Sequence, residues 1–473
     1  MTENPRRVAV VGAGASGVLT AAQLLRRADL AGVPLDVRLI DRAPAPGRGA
    51  AYATTADRHL LNVPAGRMSA FADAPDDFVH WLDRHAPGVH TAADHVPRRL
   101  YGAYLGEVLA AAEARAGTAR LRRVDDRVVS ARRAGPGMSL RLGTGRRLDA
   151  DAVVLALGTF PPDNAWAPAR LRRSPRFVAD PWAPGALRGL AEHQDLLLLG
   201  TGLTMIDVAL VLARPGRRVH AISRHGLVPR PHAATALPPA RPPRVDPAAG
   251  LPRVRRALLA HVSACRRVHG DWRVGIDSLR PVTAALWQGL SPAERMRFQA
   301  EDRRLWDVHR HRAAPATARA FATAEAEGWV TVGPGELADA APTGDGVLVR
   351  LRDGRTLTVG AVLNCTGPQA DVRRVPDPLV AVLLGAGLAE PDDLGHGFRT
   401  DARGRVRPAD GAPPAPLWTL GALRRGTLLE STAIPEIRAQ AGEVAGDILA
   451  ADLAAADGSG TDAAATDFLA GAG

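Results

Sequence analysis

The sequence is short of the residues on which several common enzyme chemistries depend. Its 473 residues include no lysine, two cysteines and only 4% aromatic side chains. The absence of lysine excludes a lysine-dependent Schiff-base mechanism. Cys265 and Cys365 lie far apart and form no Cys-x-x-Cys pair, which excludes the dithiol relay of a disulfide reductase. We expect Cys365 to be buried and unreactive because it ends an apolar, strand-like run.

Long hydrophobic runs are missing as well. No apolar stretch approaches the roughly 20 residues of a membrane-spanning helix, so we expect no membrane partner. Glycines interrupt the first apolar run, residues 8–11, which favours a strand and a turn over a secretory signal. We therefore expect a cytoplasmic protein. The length suits two to three domains and is compatible with a homo-oligomer.

The charge is strongly positive but evenly spread. The formal net charge is +11, and all 60 basic residues are arginines scattered along the whole chain. The sequence has no basic helix and no aromatic platform, so we expect no nucleic-acid partner. Anionic dinucleotides are a simpler explanation of the excess charge.

The most informative feature present is a pair of glycine-rich turns. Residues 12–17 read Gly-Ala-Gly-Ala-Ser-Gly and residues 200–205 read Gly-Thr-Gly-Leu-Thr-Met. Each turn follows a short apolar run and opens a helical pattern, which is the context of a dinucleotide phosphate site. We predict an α/β fold with two Rossmann-like domains, a discontinuous one for FAD and an inserted one for NADPH.

The spacing of these motifs suggests domain boundaries. We expect the FAD domain at residues 1–165 and 316–450, and the NADPH domain with a helical insert at residues 190–315. Helical periodicity marks residues 254–312. Residues 451–473 are rich in alanine, glycine and aspartate, so we expect them to be disordered.

The first turn matches the dinucleotide pattern in full. Its three glycines serve the tight turn, the close approach of the pyrophosphate and the packing of helix on strand. The next strand-like run ends in Asp41, where a carboxylate accepts ribose hydroxyls and repels a 2′-phosphate. FAD or NAD therefore suits this site better than NADP. The predicted contacts are Gly12, Gly14, Ser16, Gly17, Asp41 and Arg42.

The second turn departs from the pattern, since Met205 stands where a third glycine is usual. The following strand-like run ends in Ser223 and Arg224, with no acidic residue. A cation there favours the 2′-phosphate of NADPH over NADH. The alternative is that Arg224 is an ordinary surface arginine. The predicted contacts are Gly200, Gly202, Leu203, Thr204, Ser223 and Arg224.

Eight segments together resemble the bacterial FAD-NAD(P)-binding protein family. They lie at residues 62–69, 77–82, 97–105, 200–205, 223–226, 271–273, 306–312 and 430–438. That family includes an aspartate N-monooxygenase of natural-product biosynthesis. The order of elements is also similar to flavin-dependent amine N-hydroxylases, in which a Met-containing loop and a Pro-x-Arg segment precede the NADPH insert. The chain departs from their NADPH turn, because residues 203–205 are Leu-Thr-Met instead of Gln-Ser-Ala.

The resemblance implies a flavin pocket built from several segments. Residues 430–435 form a helix start with capping hydroxyls, suited to the negative charge of a reduced flavin, or merely a helix packed on the core. Asn62 is either a flavin contact or a turn residue. The predicted cofactor contacts are completed by Asn62, Met68, Arg98, Val128, Gly158, Thr366, Gly367, Glu430 and Thr432.

The candidate substrate residues lie in the segment 309–312, His-Arg-His-Arg. On a helix, Arg310 and His311 could orient an anionic substrate, and the alternative is a solvated charged helix end. His309 and His311 lie on different faces with no third ligand, so we expect no metal. We predict that Asn62, Arg310 and His311 serve catalysis.

These observations predict a monooxygenase that uses FAD, NADPH and O₂. It would act through a C4a-hydroperoxyflavin and hydroxylate the amine of a small amino-acid-like substrate. One alternative is a reductase or oxidase that passes electrons to a quinone or a protein acceptor. Another is a non-catalytic, redox-sensing flavoprotein.

Overall fold

The computed structural model describes residues 5–42, 45–190, 194–409 and 414–459, the last nine by their backbone alone. Sixteen strands occur in these residues. In chain order they are β1 Arg6–Val11, β2 Leu35–Asp41, β3 Ala119–Asp125, β4 Val128–Ala134, β5 Gly137–Leu142, β6 Arg147–Ala150, β7 Ala152–Leu155, β8 Phe177–Val178, β9 Leu196–Leu199, β10 Val219–Ser223, β11 Val330–Pro334, β12 Leu337–Pro342, β13 Val347–Leu351, β14 Thr356–Val359, β15 Ala361–Asn364 and β16 Leu417–Thr419.

Fourteen α-helices accompany the strands in the same described ranges. They are α1 Ala15–Ala31, α2 Gly49–Tyr52, α3 Asp77–His85, α4 Arg98–Arg115, α5 Ala169–Arg172, α6 Leu203–Leu212, α7 Leu251–His269, α8 Arg273–Ser278, α9 Thr283–Gly289, α10 Pro292–Glu301, α11 Arg303–Arg310, α12 Pro315–Ala326, α13 Pro378–Gly385 and α14 Ile434–Ser459. None of these helices is long and apolar enough to cross a membrane.

Two parallel five-stranded sheets organise the chain. The first has the order β16-β7-β1-β2-β3 and the second has the order β11-β10-β9-β15-β8. In each sheet the strand before a glycine turn lies in the centre, and the strands that follow it in the chain lie on both sides of it. This reversal of strand order creates the crevice in which α/β folds bind ligands. The predicted α/β fold with two Rossmann-like units is confirmed.

Strand alternation places the core on both faces of the first sheet. Val8 and Val10 pack with the helices α1, α4 and α14, whereas Ala9 and Val11 pack against the antiparallel sheet β4-β5-β6 and α13. The second sheet repeats this arrangement, with α6 and α12 on one face and β12-β13-β14 on the other. The two units are therefore similar three-layer structures.

The second unit extends further than the sequence predicted. Strand β8 precedes the expected start at residue 190, and both β11 and β15 follow the expected end at residue 315. Residues 315–364 therefore belong to the second unit and not to the returning FAD domain. The apolar runs in this stretch are compatible with either sheet, so only the observed strand pairing shows to which sheet they belong.

The helical insert agrees with the periodicity of residues 254–312. Five helices, α7 to α11, fill this region, and α12 begins at Pro315. Ser291 and Glu294 form a reciprocal capping box at the start of α10. Near the C-terminus, α14 continues to Ser459 and so covers the first nine residues of the segment for which we expected disorder. The rest of that segment, 460–473, lies outside the described residues.

Candidate functional site

The first glycine turn has the geometry that its spacing predicts. Gly12 has a φ of +104°, and a Cβ there would lie 2.3 Å from the carbonyl oxygen of Ala156. A Cβ on Gly17 would lie 1.8 Å from the carbonyl oxygen of Gly12. At Gly14 the nearest atom to a Cβ would be 3.6 Å away. The outer glycines close the turn against β7, and the middle one leaves the backbone open to a ligand.

The second turn repeats this construction. Gly200 also has a φ of +104°, and its Cβ would lie 2.3 Å from the carbonyl oxygen of Cys365. No described atom lies within 4 Å of a Cβ on Gly202. Met205, in place of a third glycine, is fully buried in the core of the second unit. A phosphate site with an open middle glycine is therefore present in both units.

The end of β2 carries the predicted acidic residue. Asp41 accepts a hydrogen bond of 2.6 Å from the backbone N–H of Ala13 through its Oδ2 atom. This contact fixes the carboxylate beside the first glycine turn. Arg42 follows it and is exposed, whereas the Val128 side chain is buried in the core beneath the sheet β4-β5-β6. Gly158 lies just after β7 with a φ of +67°.

A cavity of about 1250 Å³ connects the two units. It brings together the predicted residues of the second turn, the loop at residues 62–68, the segment 366–367, the end of α11 and the approach to α14. The predicted residues that line it are Asn62, Met68, Arg98, Gly200, Gly202, Leu203, Thr204, Ser223, Arg224, Arg310, His311, Thr366, Gly367, Glu430 and Thr432. The residues of the first turn, Asp41, Arg42, Val128 and Gly158 are not among the lining residues.

The cavity wall is strongly cationic. Ten arginines and four acidic residues line it. Arg224 lies at the end of β10 by the second glycine turn, and its side chain is exposed. It forms no hydrogen bond or ion pair with any residue that the structure describes. The field in this cavity therefore favours anionic ligands.

Arg310 is held by an acidic residue of the facing segment. Its Nη2 atom donates a 2.7 Å hydrogen bond to Oε2 of Glu430. Both side chains are largely buried, with 14% and 10% of their surface exposed. The Oε1 atom of Glu430 and the Nε atom of Arg310 have no partner among the described residues. The pair links α11 to the approach to α14 and leaves two polar atoms for a ligand or water.

His311 lies beyond the end of α11 and is 41% exposed. Partial loss of water around the ring within the cavity wall lowers the pKa of its imidazole, and the nearby Asp307 carboxylate partly opposes this shift. The ring is therefore uncharged at neutral pH. Asp307 lies 3.6 Å from His311 and pairs more closely with Arg303, at 2.9 Å.

Arg425 is a cavity residue that the sequence analysis did not identify. This side chain lines the cavity beyond β16 and lies close to Arg303 and Asp307. Burial lowers the pKa of its guanidinium, and Arg303 lowers it further. The guanidinium forms no hydrogen bond or ion pair within the described ranges. No local pattern could identify it in a chain with 60 basic residues, all arginine.

The predicted helix start at residues 430–435 lies at the cavity, although the helix itself begins only at Ile434. Helix α14 begins at Ile434, and Glu430, Ser431, Thr432 and Ala433 line the cavity before it. The Oγ atom of Ser431 is buried and has no described partner. This unpartnered oxygen and the helix start beside it make this part of the cavity wall polar and able to hydrogen-bond a ligand.

Residue Asn62 is exposed and lines the cavity, while Met68 is buried against it. The carbonyl oxygen of Asn62 accepts a 3.0 Å hydrogen bond from Nε2 of His232, which places the 62–68 loop against the second unit. Arg98 also reaches the second unit, since its Nη2 atom lies 2.7 Å from Oδ2 of Asp207. The guanidinium predicted to bind a cofactor is thus held by a protein carboxylate.

Comparison with known proteins agrees with the nucleotide-binding character of the first unit. Residues 9–160 match a family model described as FAD-NAD(P)-binding. No curated protein matches the chain.

Solved structures with the same fold extend over nearly the whole chain. An L-lysine 6-monooxygenase from Pseudomonas syringae is 18% identical, with a TM-score of 0.63, covering 95% of this chain and 100% of that one. The ornithine N-hydroxylase of Kutzneria sp. 744, with reduced FAD, NADP⁺ and L-ornithine, is 15% identical with a TM-score of 0.64 and the same coverage. The ornithine hydroxylase of Pseudomonas aeruginosa is 16% identical with a TM-score of 0.61, covering 94% and 99%. At these identities the likeness establishes the fold.

Proposed function

We propose that the protein is an FAD- and NADPH-dependent monooxygenase that hydroxylates the amine of a small amino-acid-like substrate. One observation carries the proposal: a single cavity joins the second glycine turn to the 62–68 loop and the start of α14. Such a cavity lets two dinucleotides meet with their reactive rings together. The lysine and ornithine hydroxylases with this fold, one of which holds reduced FAD and NADP⁺, support the assignment.

The residues present fit FAD at the first unit. Gly14 leaves the backbone open for a pyrophosphate, and Asp41 offers a carboxylate to the ribose. Asn62, Met68 and Thr432 would surround the ring system. When bound, FAD would accept a hydride from NADPH and deliver one oxygen atom of O₂ to the substrate amine, while the second leaves as water.

The second unit would bind NADPH. Gly202 gives the pyrophosphate access to the N-terminus of α6, where the backbone N–H groups and the helix dipole favour an anion. Arg224 would pair with the 2′-phosphate, since no described residue occupies its guanidinium.

The side chains beyond the two turns would hold the substrate. His311, uncharged at neutral pH, is suited to accept the proton that a substrate ammonium must lose before its nitrogen can react. Arg425 is a partly buried cation without an ion-pair partner in the described chain, and a substrate carboxylate would compensate its charge. We therefore assign the contact with the substrate amine to His311 and the contact with the substrate carboxylate to Arg425.

The experiment follows four quantities in parallel: NADPH oxidation, O₂ uptake, peroxide and hydroxylamine product. Amino acids with a side-chain or α-amine are compared with diamines that lack the carboxylate. We expect one substrate amino acid to yield product in step with NADPH and with little peroxide, and diamines to react poorly. Peroxide equal to NADPH with every amine would instead identify an oxidase or reductase.

The Arg425→Met variant tests the proposed contact between Arg425 and the substrate carboxylate. Removing a charge-assisted contact should raise the KM for the substrate by roughly 10- to 100-fold. The rate of flavin reduction by NADPH in the absence of substrate should stay within about twofold. An unchanged substrate KM would rule out this role of Arg425.

A further inference from the structure

Three side chains of the first unit form hydrogen bonds with helix α6 of the second unit. Arg98 lies at the start of α4, and its Nη2 atom is 2.7 Å from Oδ2 of Asp207 in α6. The Nε2 atom of His59 lies 3.3 Å from the carbonyl oxygen of Asp207. Arg58 donates a hydrogen bond to the carbonyl oxygen of Leu210, also in α6. We call these three side chains and Asp207 the α6 clamp.

Most of the clamp is buried and held by further contacts, whereas the Arg58 side chain is exposed. The side chains of Arg98 and Asp207 are 16% and 6% exposed. Arg98 also donates a 3.0 Å hydrogen bond from Nε to the carbonyl oxygen of Leu60, and its guanidinium lies 5.8 Å from the ring of Trp182. His59 is fixed by a 2.6 Å contact between Nδ1 and the hydroxyl of Thr54. A charge pair held this way has one geometry, and each charge depends on the other for compensation.

The position of Asp207 links the clamp to the proposed NADPH site. Helix α6 begins at Leu203, directly after the second glycine turn, so Asp207 lies one turn inside the helix that carries the NADPH pyrophosphate site. Arg98 and His59 are tied to the strand-like segments that lead into the 62–68 loop of the flavin side. A small rotation of α6 would therefore move the nicotinamide relative to the flavin.

We propose that the Arg98–Asp207 pair is a positioning device that sets the distance and angle between the nicotinamide and flavin sites. The pair would act by fixing α6 against the first unit, because the Arg98 guanidinium is already engaged by Asp207 and by the carbonyl oxygen of Leu60. This inference rests on the proposed function, because it concerns hydride transfer between the two cofactors. Misplacing the hydride donor by about 1 Å costs roughly 100-fold in rate, so a rigid link between the units matters for the reaction.

The test compares Asp207→Asn and Arg98→Lys with Arg99→Gln. The first variant keeps the shape of the Asp207 side chain and removes its charge. The second keeps the positive charge at position 98 and removes the planar guanidinium group. Arg99, the neighbouring residue on α4, pairs with Asp57 in an exposed ion pair and is the matched control. Anaerobic stopped-flow reduction of the FAD-loaded protein by NADPH gives the rate constant at saturation and the Kd for NADPH.

We expect the reduction rate of both clamp variants to fall roughly 10- to 100-fold, while the Kd for NADPH and the FAD content change by less than about threefold. The charge-transfer absorbance between nicotinamide and flavin should weaken in parallel. The control should match the wild type. Equal rates and equal charge-transfer bands in all variants would overturn the inference.

A second measurement does not depend on catalysis. Spin labels at Leu30→Cys on α1 and Leu348→Cys on β13 report the distance between the units by pulsed electron resonance, because both residues are exposed and both native cysteines are buried. We expect a broader or shifted distance distribution in the FAD-loaded Asp207→Asn protein, and an unchanged one would contradict the clamp. If NADPH fails to reduce the wild-type flavin, the proposed function is wrong, and the distance measurement still decides whether the pair fixes the units.

Discussion

At the scale of single residues, the role proposed for Arg224 is to select NADPH over NADH. Its guanidinium lies at the cavity end of β10 and contacts no described acid. Replacing it with glutamine should raise the KM for NADPH by roughly 10- to 100-fold and leave that for NADH within about twofold, because only NADPH carries the 2′-phosphate. Steady-state KM values for both coenzymes measure this effect. Arg218→Gln, at the other end of the same strand, is the control, and equal losses with both coenzymes would argue against the assignment.

His232 makes stability sensitive to acid. Burial, reinforced by the nearby Arg312, lowers the pKa of this imidazole to about 3. The folded protein thus keeps the ring neutral, while the unfolded chain takes up a proton below about pH 6.5. Stability from this group is present above pH 6.5 and is lost as the pH falls toward 3. Between pH 7.5 and 5.0 the loss should be about 2 kcal/mol.

Urea unfolding at these two pH values measures that loss. His232→Asn removes the titrating group and can still donate to the Asn62 carbonyl that His232 contacts. The variant should lose less stability than the wild type between the two pH values. The same loss in both proteins would show that other groups govern the acid response.

At the scale of elements, the two glycine turns show which features a sequence can predict. A glycine turn is a local structure, so the spacing of Gly12, Gly14 and Gly17 was sufficient to place strand, turn and helix. The assignment of β11 and β15 was not local, because an apolar strand pairs with whichever edge the fold presents. Arg425 could not be predicted for the same reason, because its neighbours Arg303 and Asp307 lie more than a hundred positions earlier in the chain.

The second turn supports a prediction that separates folding from binding. Gly202 has an ordinary φ of −83°, and no described atom lies within 4 Å of a Cβ there. Gly202→Val should therefore fold, with an unfolding midpoint within a few degrees of the wild type, and should raise the KM for NADPH more than about tenfold by blocking the pyrophosphate. Thermal unfolding and KM values measure the two effects. Gly17→Ala is the contrasting variant, because its Cβ would collide with the Gly12 carbonyl and reduce FAD retention.

At the scale of the whole molecule, the helical insert covers the flavin side of the cavity. Three contacts join it to the segment before and at the start of α14: Arg280 donates to Glu436 at 2.6 Å, Arg310 donates to Glu430 at 2.7 Å, and the indole N–H of Trp287 donates to the carbonyl oxygen of Gly426 at 2.8 Å. In the proposed reaction, a cover of this kind would limit the entry of water and so protect the reactive oxygen species until the substrate attacks it.

Loosening this cover should uncouple NADPH oxidation from hydroxylation. Arg280→Met removes one of the three contacts while leaving Arg310 and His311 in place, so flavin reduction should persist and the peroxide released per NADPH should rise severalfold because water enters the cavity. The ratio of hydroxylamine to NADPH measures the coupling. Arg297→Gln, which breaks an exposed pair with Glu301 on α10, should leave the ratio unchanged. An Arg280→Met protein that kept full coupling would show that the Arg280–Glu436 contact does not help to exclude water from the cavity.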